Sequence, residues 1–446
     1  MASRGRSSIR VGILVPCALL IFLALGPPAS AQYLEPAWVR TFGGAGNDQG
    51  WGIDVGPDGE AYVAGFVQGQ GLDVFLARLN ASGGTDWQVA WTRQFDQKAF
   101  EVRYADGFLY VGGVAARTGS ASSQDMLLAR VWASNGTTDW ETTWNGPADL
   151  YDEADGIVVE EGLVYVSGWG DARLDFTEGD LALVAFTLDG TYVRHALWGG
   201  PGREEGNGAL VSDGQTLYVA GIVDGANLFA GGDAVVVAFN EATFAEVWNT
   251  TWGGSGVDDA YGIARHADRL YATGLTTSFG GDHIFLLTLD TAGTLLRNVT
   301  WGGPAAEAAR AVGVRPNGSA VYVAGRTASF GNGSLDVVLM EYDASGAYVS
   351  AETWGGSGSD VSHGILLASD AIYVVGESSS LGAGGTDLFA MKLGPGTGGP
   401  GNPPFEVDPI PTNPAAVVAL LVGVALVVGL IVVASRRRRR SPPRNA

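Results

Sequence analysis

Five acidic residues stand six positions after an aromatic one: Asp48 after Phe42, Glu204 after Trp198, Asp258 after Trp252, Glu307 after Trp301 and Asp360 after Trp354. An aromatic ring beside a carboxylate can stack on a sugar ring, accept its hydroxyl hydrogen bonds or hold a cation. A second aromatic set, Phe66, Trp169, Phe176, Phe229, Phe279 and Phe330, lies in connections of variable length. Variable loops on a rigid scaffold usually carry function. Trp169, between Gly168 and Gly170 and followed by Asp171 and Asp175, and Phe176 are therefore the candidate ligand contacts. Replacing both by serine is expected to leave folding nearly intact and abolish binding. Acid pairs such as Glu204-Glu205 and Asp258-Asp259 suit a glycosidase-like site, but a chain with 47 acidic residues supplies such pairs anyway. The four histidines, His195, His266, His283 and His363, lack metal-ligand spacing. Neither G-x-S-x-G nor H-E-x-x-H occurs. No catalytic residue, metal ligand or cofactor is expected. Gly43–Asp48 and its echoes at Gly253–Asp258 and Gly355–Asp360 match a G-G-x-G-x-D calcium motif. That motif works through copies nine residues apart that stack and share ions, a spacing this chain does not have. The glycines are instead expected to supply positive φ where one unit crosses to the next. Calcium stays open only as a ring of repeated acids.

These residues belong to a repeat. Its opening aromatics are Phe42, Phe95, Trp144, Trp198, Trp252, Trp301 and Trp354, with gaps of 53, 49, 54, 54, 49 and 53 residues. A tyrosine and then a glycine three residues on follow in each unit, from Tyr62/Gly65 to Tyr373/Gly376. One aspartate then precedes an apolar run: Asp73, Asp125, Asp180, Asp233, Asp282, Asp336 and Asp387. Its expected role is to accept backbone N–H groups in a tight turn. Period-two patterning and Asp-Gly or Asn-Gly turns at Asp58-Gly59, Asp106-Gly107, Asp213-Gly214 and Asn317-Gly318 predict antiparallel hairpins. Asn135-Gly136 and Asp189-Gly190 do the same between third and fourth strands. In the unit opening at Trp252, the strands are expected near Gly262–His266, up to Gly274, over Ile284–Leu289 and up to Trp301. Four antiparallel strands every fifty residues or so make the blade of a β-propeller. Seven groups of strands one to three are present, and the last lacks a fourth. Trp38–Phe42 resembles a fourth strand with no blade before it, so it is expected to close the last blade and remove the open edges. The fold class is all-β: a seven-bladed β-propeller with four-stranded antiparallel blades, over residues 32–393, plus a C-terminal transmembrane helix.

The T-[WF]-G-G…G-I…Y-V-x-G…D unit resembles the SBBP-type β-propeller repeat of exported and surface-anchored microbial proteins. The resemblance covers Trp38–Leu393 and implies a propeller fold and an exported location, but no defined reaction. The second unit departs from it, with Phe95-Asp96-Gln97-Lys98 in place of the glycine pair and Glu101 where other units have glycine.

Residues 1–31 read as a signal peptide: Arg4, Arg6 and Arg10, an apolar run over Val11–Leu25, and Ala29-Ser30-Ala31 before the cut. Cys17, the only cysteine, lies within it, so no disulfide is expected. A Gly/Pro-rich linker (394–414) leads to an uncharged run of 20 residues, Ala415–Ala434, long enough to span a bilayer as a helix. The basic tail, 435–446, opens with Arg436–Arg440 and marks the cytoplasmic side. A sorting signal, cleaved before attachment elsewhere, has the same three-part layout. Three of the 26 basic residues lie in the leader and six beyond Ala434; the 17 between them face all 47 acids, a net charge of −30. Such a charge argues against nucleic acid and anionic surfaces as partners and for solubility in the open medium or at high salt, between which the sequence does not decide. Sequons at Asn80, Asn135, Asn249, Asn298, Asn317 and Asn332 are possible glycosylation sites.

The expected function is binding or adhesion by a single-pass surface protein, with an extracellular glycan, envelope polymer or protein as ligand. The first alternative is an extracellular hydrolase or lyase acting on polysaccharide. It requires carboxylates with His or Tyr from several blades to converge at the axial mouth with shifted pKa values. A purely structural envelope component is the second.

Overall fold

The computed structural model describes residues 34–69, 71–118, 124–172, 178–208, 210–225 and 231–395. Within them lie seven antiparallel sheets, each a blade; in all but the fourth, whose inner strand is split, and the seventh, consecutive strands are the hydrogen-bonded neighbours. The inner strands are Gln49–Val55, Gln97–Ala105, Tyr151–Glu160, the split pair Arg203–Glu205 and Leu210–Ser212, Asp258–His266, Glu307–Val314 and Asp360–Leu367. The fifth blade shows the match to its sequence: Asp258–His266, Arg269–Thr276, His283–Asp290 and Leu295–Trp301. Its inner strand starts four residues earlier than the period-two pattern indicates, because a β-bulge between Ala260 and Gly262 breaks the alternation. The turn residues behave as their chemistry requires: Asp106 (φ 49°) and Gly107 (φ 84°) both take the left-handed conformation of a type I′ hairpin.

The core lies between blades. Along Val235–Phe239 every side chain is buried. Val235, Val237 and Phe239 pack toward the third blade with Leu181 and Leu183, while Val236 and Ala238 pack toward the fifth with Phe285 and Leu287. Strand geometry sends alternate side chains to opposite faces, so a run apolar at every position is what a blade with two neighbours needs.

The ring closes as the strand count demands. Leu34–Phe42 pairs antiparallel with Asp387–Pro395 and forms the outer strand of the seventh blade, with Thr41 opposite Phe389. It begins earlier than Trp38, continuing past a bulge at Pro36. Trp38 is buried against Tyr373 at 6.1 Å and donates its indole N–H to the carbonyl of Ala81, in the first blade, at 3.3 Å. No helix among the described residues is long and apolar enough to cross a membrane. The leader, the linker, the Ala415–Ala434 span and the basic tail lie outside the described residues.

Candidate functional site: an axial chamber

Each inner strand carries one extra residue at the same point of the repeat. Bulges fall between Gly50 and Gly52, Ala99 and Glu101, Ala154 and Gly156, Ala260 and Gly262, Ala309 and Ala311, and Ser362 and Gly364. In the fourth blade, the break after Glu205 does the same. The extra residues are Trp51, Phe100, Asp155, Asn207, Tyr261, Arg310 and His363, and all seven line one axial cavity of about 110 Å³. The small residues beside them are a steric requirement. A Cβ on Gly52 would lie 2.7 Å from the amide nitrogen of Val102, one on Gly208 1.9 Å from the carbonyl of Tyr261, and one on Gly364 2.4 Å from the carbonyl of Trp51. At these glycines the neighbouring inner strand comes too close for a side chain.

A wider chamber of about 320 Å³ adjoins this cavity, sharing six of the seven bulged residues with it. It adds Gln49, Phe66, Lys98, Tyr151, Glu153, Arg203 and Glu205 from the end of the blades where crossings enter. On one side Trp51 stacks on His363 (4.2 Å, 7° between planes) and meets Phe100 edge-on at 5.1 Å. Gln49 accepts the Trp51 indole N–H at 3.1 Å and donates to Glu377 at 2.6 Å. The guanidinium of Arg310 lies over Tyr261 at 4.4 Å and over Trp51 at 5.6 Å.

The other side is acidic and tightly bonded. Tyr151 donates to Glu153, and Arg203 to Glu205. Arg203 also approaches Asp259 at 3.6 Å, and Asn207 donates to Asp259 at 2.5 Å. Burial raises the pKa of Glu153 and Asp259, and raises Asp155 well above the usual range, reinforced there by the charges of Glu153 and Glu205. Burial pushes Glu205 up to about 8 against the pull of Arg203. The same cause lowers the pKa of His363, keeping the imidazole neutral. Glu101, which replaces a small residue in the second blade, tucks beside Arg103 at 3.4 Å and is pushed by burial up to about 7. Carboxyls that hold protons at neutral pH can donate as well as accept, so this wall can bind hydroxyl groups in either sense or move a proton.

The acids expected to face a ligand do not reach the chamber. Asp48, Glu204, Asp258, Glu307 and Asp360 are buried latches at the blade crossings. Asp360 accepts the amide of Gly356 at 2.8 Å and the hydroxyls of Ser380 (2.6 Å) and Ser378. Asp258 does the same for Gly254 (2.8 Å), Ser278 (2.6 Å) and Thr276. Asp48 accepts from Gly44 and Gln68, Glu204 from Gly200, and Glu307 from Gly303 and Thr327. Asp152 holds the third crossing, eight residues after Trp144, by accepting from Gly146 and Asp171. At 0–1% exposure these carboxylates are spent on the donors of their own crossings and have no access to a ligand. The crossing glycines are likewise explained by contact more than by φ. A Cβ on Gly253 would lie 2.2 Å from Asp233 and 2.6 Å from Asp258, and of Gly43, Gly253 and Gly355 only Gly43 has positive φ (147°). The aspartates before the third strands take the turn role at Asp336, which accepts from Gly333, and Asp387, which accepts from Ala383. Asp125 instead pairs with Arg117 at 2.8 Å.

Trp169 is only 2% exposed. It stands behind the chamber wall, edge-on to Tyr151 at 6.0 Å and under Arg203 at 5.8 Å. Serine there empties a core position instead of deleting a surface contact. Asp175, Phe176 and Phe229 lie outside the described residues. Phe330 packs on Trp301 at 5.2 Å, and Phe279, 46% exposed, rests on Trp252 at 5.1 Å. Of the loop aromatics among the described residues, Phe66 lines the chamber, with Lys98 over its ring at 5.3 Å. Asn135, Asn249, Asn298, Asn317 and Asn332 are exposed, whereas Asn80 is half-buried, its side-chain oxygen accepting from Ser82 and Gly84. Among the described residues no three His, Cys, Asp or Glu side chains are grouped to hold a metal ion.

The bulged residues were missed because they fill no repeated column. The signal is nonetheless present as a small-x-small triplet in each unit: Gly50-Trp51-Gly52, Ala154-Asp155-Gly156, Gly206-Asn207-Gly208, Ala260-Tyr261-Gly262, Ala309-Arg310-Ala311 and Ser362-His363-Gly364, with Ala99-Phe100-Glu101 as the variant.

Fold and site define a seven-bladed β-propeller with a chemically mixed axial chamber. No family model matches the sequence, and no curated protein matches it. Among solved structures, a chain of a mitotic checkpoint complex is similar at 12% identity and TM-score 0.50, over 88% of this chain and 98% of that one. The Pan2 WD40 domain of Neurospora crassa follows at 10% identity and 0.49, over 80% and 95%. A quinohaemoprotein alcohol dehydrogenase from Comamonas testosteroni gives 11% and 0.45, over 86% and 80%. The first likeness shows shared fold alone, and the other two carry no argument.

Proposed function

We propose that this chain is a membrane-anchored, outward-facing binding module that takes a carbohydrate in its axial chamber. The observation that carries the reading is the ring of bulged residues. Positions repeated in all blades serve the scaffold, while this one structurally repeated position holds seven different side chains, all directed into one cavity. Phe100 offers a ring to stack on, and Asn207 and the proton-holding carboxyls offer donors and acceptors to sugar hydroxyls. The outward orientation rests on the leader, the uncharged run Ala415–Ala434 and the arginines after it.

A panel of oligosaccharides titrated calorimetrically against the full-length protein tests the site. Phe100→Ala should weaken the best binder by about 2 kcal/mol, roughly thirtyfold, with unchanged melting temperature. Binding that survives both Phe100→Ala and Asn207→Ala would place the ligand elsewhere. Orientation is checked separately: protease added to intact cells should release a soluble fragment ending within residues 394–414, and complete protection would contradict it.

A second reading, polysaccharide hydrolase or lyase, is favoured by one feature. Glu153 and Asp155, hydrogen-bonded to each other with raised pKa values beside Tyr151, form a proton-holding pair. Product formation from a bound panel sugar, abolished by Glu153→Gln with binding retained, would select this reading over binding alone.

A further inference from the structure

The chamber's charges are unequally engaged. Glu153 accepts from Tyr151 and Asp155, Glu205 from Arg203, and Asp259 from Arg203 and Asn207. These three acids are therefore engaged by donors of the chain itself. Arg310 is not. Surrounded by these carboxylates, it makes no hydrogen bond or ion pair with a described residue; its contacts are the rings of Tyr261 and Trp51. Lys98, on the second blade, has its ammonium over the ring of Phe66 at 5.3 Å; it makes no hydrogen bond or close ion pair with a described residue and acts on Glu153 only through its charge. Rings hold a guanidinium through its face, which leaves the N–H edges to bind in the plane. Those edges match a carboxylate, which they grip with two parallel hydrogen bonds.

We propose that the axial chamber selects sugars bearing carboxylate groups, with Arg310 gripping one carboxylate through its N–H edge and Lys98 attracting a second. The proposal rests on the carbohydrate reading above and names the class of sugar. Charge supports it. Burial disfavours the ionised forms of Asp155 and Glu205, raising the first and pushing the second up to about 8. The wider chamber is lined by three cationic side chains, Lys98, Arg203 and Arg310, and by Glu153, Asp155 and Glu205, whose ionised forms burial disfavours, within a segment of net charge −30. Acidic surroundings repel polyanions such as nucleic acid at long range, but an ion inside a low-dielectric chamber responds to its nearest charges.

The test uses two probes of one skeleton: an oligogalacturonate and the same oligomer with its carboxyls reduced to alcohols. Each is titrated into the full-length protein in detergent. The acidic oligomer should bind at least tenfold more tightly than the reduced one, with affinity falling as sodium chloride rises. Arg310→Gln should remove that preference, weakening the acidic oligomer at least tenfold more than the reduced one. Should Arg310→Gln unfold the protein, Arg310→Lys keeps the charge and loses the fork, and the preference should fall several-fold. Equal affinity for the two oligomers, or a preference that survives the Arg310 substitution in a folded variant, overturns the proposal and leaves the carbohydrate reading standing. Failure of both oligomers to bind overturns it as well. The carbohydrate reading falls separately, when no sugar of the wider panel binds in a manner sensitive to Phe100→Ala.

Discussion

Glu352 illustrates how single residues are set by burial in this ring. It sits on the outer strand of the sixth blade, Tyr348–Trp354, and is 8% exposed. Burial pushes its pKa up to about 7, opposed by the backbone N–H of Leu34 and reinforced by the charge of Glu341. The folded state therefore binds this proton more tightly than the unfolded chain, whose carboxyl titrates at an ordinary value near 4.5. The stability that follows is fully present below about pH 4.5 and is lost as pH rises through about 7. Asp152 and Glu101, both raised by burial to about 7, share the sign. Urea midpoints of the parent should thus fall between pH 5 and 8. Glu352→Gln, which keeps an acceptor for Leu34 but cannot ionise, should fall less, by up to on the order of 3 kcal/mol. Parallel curves for the two proteins would show that Glu352 ionises without penalty. Residue types were readable in the sequence, but their partners were not. An acid six residues after an aromatic looks the same whether it faces a ligand or satisfies the amides of its own crossing.

At the level of the blade, those crossing acids are the joints. Asp360 is fully buried, and its three donors belong to the crossing before the seventh blade and the connection after its second strand. Asp360→Ala leaves the Gly356 amide and two serine hydroxyls unpaired, which should cost about 3 kcal/mol in chemical denaturation. Ligand affinity of the folded fraction should be unchanged, because the latch does not line the chamber. A near-neutral effect on stability, or a selective loss of binding, would return Asp360 to the list of contacts. Strand order and hairpin turns were legible because they depend on near neighbours: period-two patterning, Asp-Gly turns and apolar runs. The bulge escaped notice because it interrupts that pattern. One extra residue looks like noise in a period and becomes a direction only when its strand lies against another.

For the whole molecule, closure is the decisive event. Without Leu34–Phe42 the last blade keeps three strands, and Asp387–Pro395 becomes an open edge. Deleting that strand should cost more than the 3–5 kcal/mol or so expected for losing buried Trp38 alone, and should promote self-association through the exposed edge. A deletion variant that melts with the parent and elutes as a monomer would contradict the closed ring.

The sequence by itself determined the scaffold: seven units, four strands in each, and a first strand that completes the last blade. It could do so because each unit repeats the same local demands, and because a ring of identical units has one economical closure. Only the tertiary structure decided the site. Gln49 and Glu377, hydrogen-bonded at the chamber, are 328 residues apart in the chain. The bulged residues that meet at the axis come one from each blade, so no local pattern records their company. Ring closure brings them together, and the same closure draws the inner strands so near that Gly52, Gly208 and Gly364 have no room for a side chain beside them.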